Sequence, residues 1–261
     1  MALILFVVVV ALTFEYINGF HDTANSIATS VSTKILTPRQ AIVLATVFNL
    51  IGALVGTAVA KTIGQGLIDT EFVTISTIMG ALFGAIIWNL VTWWLGLPSS
   101  SSHALVGGLC GSALASSGGN WNAIIWWRHT KIDPVTQQIT ELPFLKTEGV
   151  LPKVVFPMVA APILGIVLGF VIMVIFYVVL RNWKPHTINR LFGKTQLFSA
   201  AWMSYTHGTN DAQKTMGIIA LILFTATTKT TRLDHLPEWL SFLHTPEFEV
   251  HLWVKITCAL A

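Results

Sequence analysis

Two short polar motifs interrupt long apolar stretches of this 261-residue sequence. The first, at residues 17–26, reads INGFHDTANS, and the second, at residues 206–217, reads THGTNDAQKTMG. Each places an aspartate, Asp22 or Asp211, three residues after a glycine. A carboxylate at membrane depth costs several kcal/mol unless it is paired, solvated or protonated, so such residues usually serve a function. Two related motifs far apart in the chain predict an internal repeat around one polar site, which is typical of transporters.

The side chains of the first motif suit a cation. The carboxylate of Asp22 offers the oxygen ligands that hard cations such as Na⁺ prefer, and desolvation can instead make it hold a proton. His21 can change its charge near neutral pH. A helix interrupted at Asn18–Gly19 would free backbone carbonyls for the same ion. The alternative is that Asp22 only caps a following helix that begins at Thr23.

A third motif suits an anion. Four consecutive serines lie between a proline and a histidine, as Pro98, Ser99, Ser100, Ser101, Ser102 and His103. Because proline favours the first turn of a helix, the serines would present hydroxyls and free N–H groups at a helix amino terminus, which binds phosphate or carboxylate. His103 can donate to the anion or cap the turn. The motif contains no Lys or Arg, so cations or protons at the aspartates must balance the anion. The alternative is a serine-rich linker.

Five further polar residues lie near these motifs or inside apolar stretches. Gln213 joins the anion-binding candidates, and Lys214 can pair with a carboxylate or attract phosphate. Glu15 lies near the end of the first apolar stretch and either belongs to the site or faces a cavity. Asn49 and Asn89 are expected to form hydrogen bonds between helices rather than to bind ligands.

The composition is that of an integral membrane protein. Hydrophobic residues make up 54% of the sequence and charged residues only 10%, and the mean hydropathy is +0.70. The apolar runs are longer than the roughly 9–11-residue strands of a membrane barrel, so the spans are predicted to be helices. The net charge of +3 is too small to indicate a nucleic-acid partner. Cys110 and Cys258 lie in apolar contexts and form no metal-binding CxxC pattern, so we interpret them as packing residues.

The apolar runs place the expected helices. Met1–Phe14 has no basic flank or small-residue cleavage site, so it is interpreted as the start of a first membrane helix and not as a signal peptide. The glycine-rich stretch 104–115 is too short for an independent span and fits a re-entrant half-helix or hairpin. A mixed loop is expected at 116–149. The expected spans are about 2–17, 39–60, 72–95, 150–180 and 197–225, with a further span starting at 250.

Basic residues predict the orientation of these spans. Lys34, Arg39 and the segment 181–194 are rich in positive charge and are therefore expected in the cytoplasm, which places the amino terminus outside. The two Gly–Asp motifs then lie on oppositely directed helices, as in an inverted repeat. The expected fold is all-α, a polytopic membrane helical bundle with broken helices. Its predicted parts are a first repeat at 1–180, which includes a hairpin at 97–117, a basic cytoplasmic linker at 181–196 and a partial second repeat at 197–261.

At these motifs the chain resembles the Pit family of inorganic phosphate transporters. The matching segments read GFHDTAN, IIWNLVTWWLGLPSSSSH and HGTNDAQK, at residues 19–25, 86–103 and 207–214. The resemblance implies that phosphate binds the serines after Pro98. His21 and the Gln-Lys pair resemble the bacterial low-affinity branch, which implies proton coupling and phosphate carried as a neutral divalent-metal complex. The coupling-ion role is implied for Asp22, Asn25, Asn210 and Asp211.

The chain end departs from the family pattern. Family members have a second serine- and threonine-rich hairpin, and the first follows Asp22 by about 77 residues. The same offset from Asp211 lies beyond Ala261, so we expect a transporter that lacks part of its second repeat. A second copy of the chain or a missing carboxyl-terminal half is then an expected partner, besides phosphate and membrane lipids.

The predicted function is symport of inorganic phosphate across the plasma membrane, the inner membrane of a bacterium, with protons or Na⁺ and without a resident cofactor or certain metal site. Transport of sulfate or another tetrahedral oxyanion is the nearest alternative, and a non-transporting fragment or subunit is a further one. An intramembrane hydrolase built on Ser102, His103 and Asp22 is disfavoured, because no GxSxG motif exists and adjacent Ser and His side chains rarely form a nucleophile–base pair.

Overall fold

Helices dominate the computed structural model, which describes residues 2–22, 24–132, 139–143, 147–230 and 237–261. This confirms the predicted all-α membrane bundle. Short 3₁₀ turns lie at Thr70–Phe72, Trp121–Ala123 and Glu238–Leu243, and a π-helical turn lies at Leu151–Val155. The α-helices of the described residues are α1 Ala2–Asp22, α2 Ala24–Ser32, α3 Pro38–Ala53, α4 Ala58–Gln65, α5 Ile75–Trp94, α6 Ser101–Ser116, α7 Phe156–Leu180, α8 Pro185–Thr230 and α9 Leu252–Leu260.

The predicted interruption of the first span at Asn18–Gly19 is wrong. Both residues lie inside α1, which continues to Asp22, and α2 begins two residues later at Ala24. Thr23, the expected first residue of the capped helix, lies outside the described residues. Backbone carbonyls around Asn18 therefore remain in the helical hydrogen-bond ladder. Any ligand in this part of α1 must be bound by side chains.

The second span is broken where a continuous helix was expected. Thr37 and Gln40 form a reciprocal capping box that starts α3, with Pro38 in the first turn. The chain then turns between Ala53 and Ala58, and α3 and α4 meet at 67°. Gly56 has a φ of +79°, a conformation that glycine adopts without the steric cost of a Cβ atom. The sequence around Gly56 has no proline, which explains why the break was missed.

Helices α5 and α6 form an antiparallel hairpin, and the range 97–117, predicted to be a half-helix or hairpin, contains the single helix α6. Trp88 near the end of α5 contacts Ser99 just before α6, and Thr77 at the start of α5 contacts Ser116 at the end of α6. At 16 residues, α6 is about 24 Å long and shorter than a bilayer core of about 30 Å. Its length fits the half-helix expected for residues 104–115.

Helix α8 is the centre of the bundle and packs against α1, α2, α3, α4, α5 and α9. It starts at Pro185 and runs for 46 residues without interruption. The basic segment 181–196 is therefore mostly the start of this helix and not a separate linker, and residue 197 is no element boundary. At about 1.5 Å per residue, α8 is roughly 69 Å long if straight, so it extends beyond the hydrocarbon core.

Within the described ranges, three helical segments are long and apolar enough to cross a membrane, and the bent α3–α4 pair makes a fourth if it is one span. The three are Ala2–Ser32, Ile75–Trp94 and Leu151–Leu180. No residue of α7 is buried, and the most apolar window of its span has a mean hydropathy of 3.1. Such a helix needs lipid or another protein surface around it.

The loop expected at 116–149 contains two short strands. Strand β1, Thr130–Ile132, pairs antiparallel with strand β2, Ile139–Glu141, with Thr130 opposite Glu141. Residues 133–138 and 144–146 of this predicted loop lie outside the described residues. A backbone bridge between Arg128 and Glu148 brings the two ends of the loop together, so that Leu151 can start the next helical segment.

Candidate functional site

The two acidic motifs meet where α1 packs against α8. The amide Nδ2 of Asn18 donates to Asp211 Oδ2 at 3.3 Å. One turn earlier on α1, Glu15 Oε2 accepts a hydrogen bond from Thr215 Oγ1 at 2.5 Å. Side chains spaced three or four residues apart share one face of a helix, so these two bonds join one face of each helix. The structure thus brings the two motifs to one polar site, as the repeat argument predicts.

Asp22 connects this site to the serine motif. Its Oδ1 lies 3.0 Å from His21 Nδ1, and its Oδ2 accepts a hydrogen bond from Ser101 Oγ at 3.0 Å. Ser101 is fully buried. A buried hydroxyl that donates to a carboxylate leaves its lone pairs free to accept a hydrogen bond. Asp22 and Ser101 can therefore offer a negative charge and a hydroxyl oxygen, as an acceptor, to the same ligand.

Lys214 connects the second motif to the same serines. Its Nζ lies 2.7 Å from Asp211 Oδ1 and donates to Ser102 Oγ at 2.7 Å. Only 4% of the Lys214 side chain is exposed, so its charge acts in a poorly screened environment. The sequence left two roles open for Lys214, pairing with a carboxylate or attracting phosphate. The ion pair with Asp211 establishes the first, and the contact with Ser102 places the ammonium where the second is possible.

His207 and Asn49 support Asp211 from the other side. His207 Nε2 lies 2.9 Å from Asp211 Oδ2, and His207 Nδ1 lies 2.8 Å from Asn49 Oδ1. The Asn49 amide also donates to Ala45 O within α3 at 2.8 Å, which fixes its orientation. The predicted role of Asn49 as a link between helices is thereby confirmed. Asn89, by contrast, is fully buried with no hydrogen-bond partner for its side chain among the described residues.

The four serines and His103 at the start of α6 have different partners, and only some of them face the polar site. Ser100 caps the helix by accepting from the His103 N–H at 3.4 Å. Ser99 accepts from Trp88 Nε1 at 2.9 Å, while Ser101 and Ser102 bind the two charged groups. The His103 side chain is exposed. The geometry therefore favours Ser101 and Ser102 as the contacts of the polar site.

Three other predicted site residues have different surroundings. The Gln213 amide donates to Val55 O at 3.0 Å and accepts from the Val59 N–H at 2.9 Å, so it binds the backbone on both sides of the α3–α4 break. Asn210 is exposed and donates to Thr206 O within α8 at 2.9 Å. Asn25 is exposed on α2. The phosphate contact of Gln213 and the ion contacts of the two asparagines remain predictions.

A cavity of about 290 Å³ lies beside this network. Its polar lining includes Glu15, Asn18, Asn49, His207 and Asp211, and the end of α9 closes one side. Sequence analysis missed Asn18 and Thr215 as site residues, although a signal was present. The spacings Glu15–Asn18–Asp22 and Asp211–Lys214/Thr215 both follow the three-and-four pattern of one helix face.

Comparison with known proteins identifies the family that this chain resembles. A family model described as the phosphate transporter family matches residues 18–261. A protein of Bacillus subtilis named a probable low-affinity inorganic phosphate transporter is 41% identical over 99% of this chain and 67% of its own length. A protein of the same name from Mycobacterium tuberculosis is 41% identical over 99% of this chain and 53% of its own length. The chain thus spans between about half and two thirds of these relatives.

A more distant relative and a solved structure extend the likeness. The low-affinity inorganic phosphate transporter PitB of Escherichia coli is 29% identical over 85% of this chain and 46% of its own length. A solved structure titled as the sodium-dependent phosphate transporter covers 100% of this chain and 74% of that chain, with a TM-score of 0.68 and 18% identity. At that identity the likeness supports the fold alone.

Proposed function

The chain belongs to the phosphate transporter family, and from that membership we propose that it binds inorganic phosphate and moves it across the membrane by symport with a cation. It is an integral membrane protein of the bacterial plasma membrane, in keeping with its family and its apolar helices. The family consists of transporters and not of enzymes. The intramembrane hydrolase considered from the sequence is therefore excluded.

The observation that carries the proposal is the pairing of charged groups with adjacent serines at the start of α6. Ser101 donates to Asp22, and Ser102 accepts from Lys214. Phosphate placed here would receive hydrogen bonds from the Ser102 hydroxyl, whose proton is not used in the contact with Lys214, and from the first N–H groups of the helix. The helix dipole and one ammonium would favour its charge. A protonated phosphate oxygen could also donate to Asp22, which sulfate, lacking a proton near neutral pH, could not do.

Charge balance supports coupling to a cation. Glu15, Asp22 and Asp211 contribute three carboxylates to the network, whereas Lys214 is its one Lys or Arg side chain among the described contacts. Adding phosphate to such a cluster is unfavourable unless a proton or Na⁺ enters as well. We therefore propose coupled entry of a cation. A divalent metal that accompanies phosphate as a neutral complex would satisfy the same balance.

The exposed helix α7 supports a partner in the membrane. No residue of this 25-residue apolar helix is buried. The relatives also contain sequence beyond the part that this chain matches. A second copy of the chain or a carboxyl-terminal half is therefore proposed to complete the transporter.

The proposal is tested by uptake of radiolabelled phosphate into cells that lack their own phosphate transporters. We expect Asp22→Asn and Ser101→Ala to reduce uptake by about tenfold or more, since a hydrogen bond to a charged group contributes about 1.5–3 kcal/mol. Glu71→Gln, which changes an exposed carboxylate outside the site, is the matched control and should leave uptake unchanged.

The same assay separates the alternatives. Uptake that excess sulfate suppresses as well as excess phosphate would indicate a general oxyanion permease. Saturable phosphate binding without uptake would indicate a subunit that needs a partner. Equal uptake by the parent and Asp22→Asn would remove Asp22 from the mechanism.

A further inference from the structure

Glu15 is a buried carboxylate that the phosphate contacts do not use. It lies on α1 with 7% of its surface exposed. Its hydrogen bond from Thr215 Oγ1, at 2.5 Å, crosses from α8. No Lys, Arg or His nitrogen among the described residues lies within 4 Å of it, because the nearby cations contact Asp211 instead. An ionised carboxylate in this position would be a buried charge with no cation in direct contact, which is strongly unfavourable.

A second observation points to a ligand next to Glu15. Asn18, one turn along α1, is 1% exposed, and its Oδ1 is buried without a hydrogen-bond partner among the described residues. Its Nδ2 donates to Asp211, which leaves Oδ1 as an unused acceptor. Both Glu15 and Asn18 line the cavity of about 290 Å³. An unused acceptor and an unpaired carboxylate that share one cavity both call for a positive charge or a proton donor.

The titratable groups around Glu15 are few. Asp211, Lys214 and His207 face it from α8, and Cys258 faces the same cavity from α9. The packed helices α2 and α5 contain no acidic or basic residue, and α3 contributes Thr46 and Asn49 to the cavity. Lys214 and His207 both contact the Asp211 carboxylate. In addition, no group of three or more His, Cys, Asp and Glu side chains in the described parts of the chain is arranged to hold a metal.

We propose that Glu15 is a proton-binding site of this protein. Its carboxylate takes up one proton from the water-accessible cavity, forms the carboxylic acid while phosphate is bound, and returns the proton when phosphate leaves. Protonation removes one of the two excess negative charges in the network of Glu15, Asp22, Asp211 and Lys214. Protonation thereby favours an anion beside Ser102. The two sites are close along α8, because Lys214 contacts Ser102 and its chain neighbour Thr215 binds Glu15. This inference rests on the proposed phosphate symport.

Infrared spectroscopy tests the protonation itself, independently of transport. With saturating phosphate present, the full chain in lipid vesicles at pH 7 should show the C=O band of a protonated carboxyl group. Glu15→Gln should remove this band, while its amide keeps an acceptor for Thr215. Glu15→Asp should retain a carboxylic acid band, and Glu71→Gln should leave the parental band unchanged. A parent without the band, or a band that persists in Glu15→Gln, would overturn the proposal.

Transport measurements test the coupling. In vesicles, an inward proton gradient should raise phosphate uptake by the parent about tenfold, within the usual range of coupling between two sites. Glu15→Gln should bind phosphate with a Kd within about threefold of the parent yet lose this stimulation, a split that a general folding defect would not produce. Stimulation that survives in Glu15→Gln, or that follows a Na⁺ gradient alone, would overturn the assignment. If the parent takes up no phosphate, symport fails, and the infrared result alone decides the state of Glu15.

Discussion

At Lys214, one ammonium group has two partners that come from different parts of the chain. It pairs with Asp211 on its own helix at 2.7 Å and donates to Ser102 at the start of α6 at the same distance. An i,i+3 pair is local and visible in the sequence. The contact with Ser102 depends on how α6 packs and could not be predicted from spacing.

Replacing Lys214 should destabilise the fold and weaken phosphate binding together. Lys214→Met leaves Asp211 buried without its ammonium partner, which costs about 3–5 kcal/mol in comparable buried pairs. We expect a lower midpoint of thermal unfolding in detergent. The pair Lys214→Met/Asp211→Asn should recover most of this stability, since it removes both charges.

Phosphate binding should not recover in the double variant, because the ammonium next to Ser102 is still absent. Lys255→Met, on the short helix α9, is the control for loss of a positive charge. If Lys214→Met unfolded at the parental temperature, the ion pair with Asp211 would contribute nothing to stability.

At the scale of elements, glycines let α8 approach α3 and α4. A Cβ atom at Gly208 would overlap the backbone of Asn49, and one at Gly217 would overlap the backbone of Ala60. Small residues at such contacts are how membrane helices reach close packing. This close approach also places His207, next to Gly208, against Asn49. The packing of the helices and the geometry around Asp211 are therefore coupled.

Gly208→Ala is expected to destabilise the protein, because it forces α3 away from α8. Overpacking of this kind costs typically about 1–3 kcal/mol. Gly193→Ala lies on the same helix, where a Cβ atom would meet only Ile35 at an ordinary 3.9 Å. The control should be stabilising by about 0.5–1 kcal/mol through helix propensity. Thermal unfolding of both variants checks the pair, and equal shifts would argue against close packing at Gly208.

At the scale of the whole molecule, α8 separates two ends of the bundle. Near its start, Gln196 accepts a hydrogen bond from Thr33 at 3.1 Å, beside Lys34. Near its end, Lys229 donates to Glu71 O at 2.6 Å. The 33-residue step from Gln196 to Lys229 along this helix spans about 50 Å, more than a hydrocarbon core of about 30 Å. The basic loop at Lys34 and the basic start of α8 thus lie at one end, as the charge-based topology predicts.

This arrangement predicts a pattern of chemical labelling. In a background with Cys110 and Cys258 replaced by alanine, Lys34→Cys and Lys184→Cys should react with an impermeant maleimide from the cytoplasmic side. Glu71→Cys should react from outside, because the positive-inside rule orients the bundle. All three residues are exposed. Labelling of the two lysine positions from opposite sides would contradict the fold, and a fully reversed pattern would contradict the orientation.

The sequence by itself determined the class of the protein and the chemistry of its site. Long apolar runs predicted membrane helices, and Asp22, Asp211 and the serines of α6 identified a polar centre, because charged and hydroxyl groups are rare at membrane depth without a role. Local signals also predicted the start of the second span near residue 39 and the short packed helix α6, since apolar runs and small residues act over a few neighbouring positions.

The tertiary structure decided which side chains meet. Helix α1 is continuous through Asn18, and the break lies in the second span at Gly56. Gln213 binds the backbone at that break, whereas Asn25 and Asn210 are exposed. The tertiary structure also joined Glu15 to Thr215, 200 residues away in the chain. Such pairings depend on helix rotation and close approach, which follow from the packing of the whole bundle and not from any local pattern of residues.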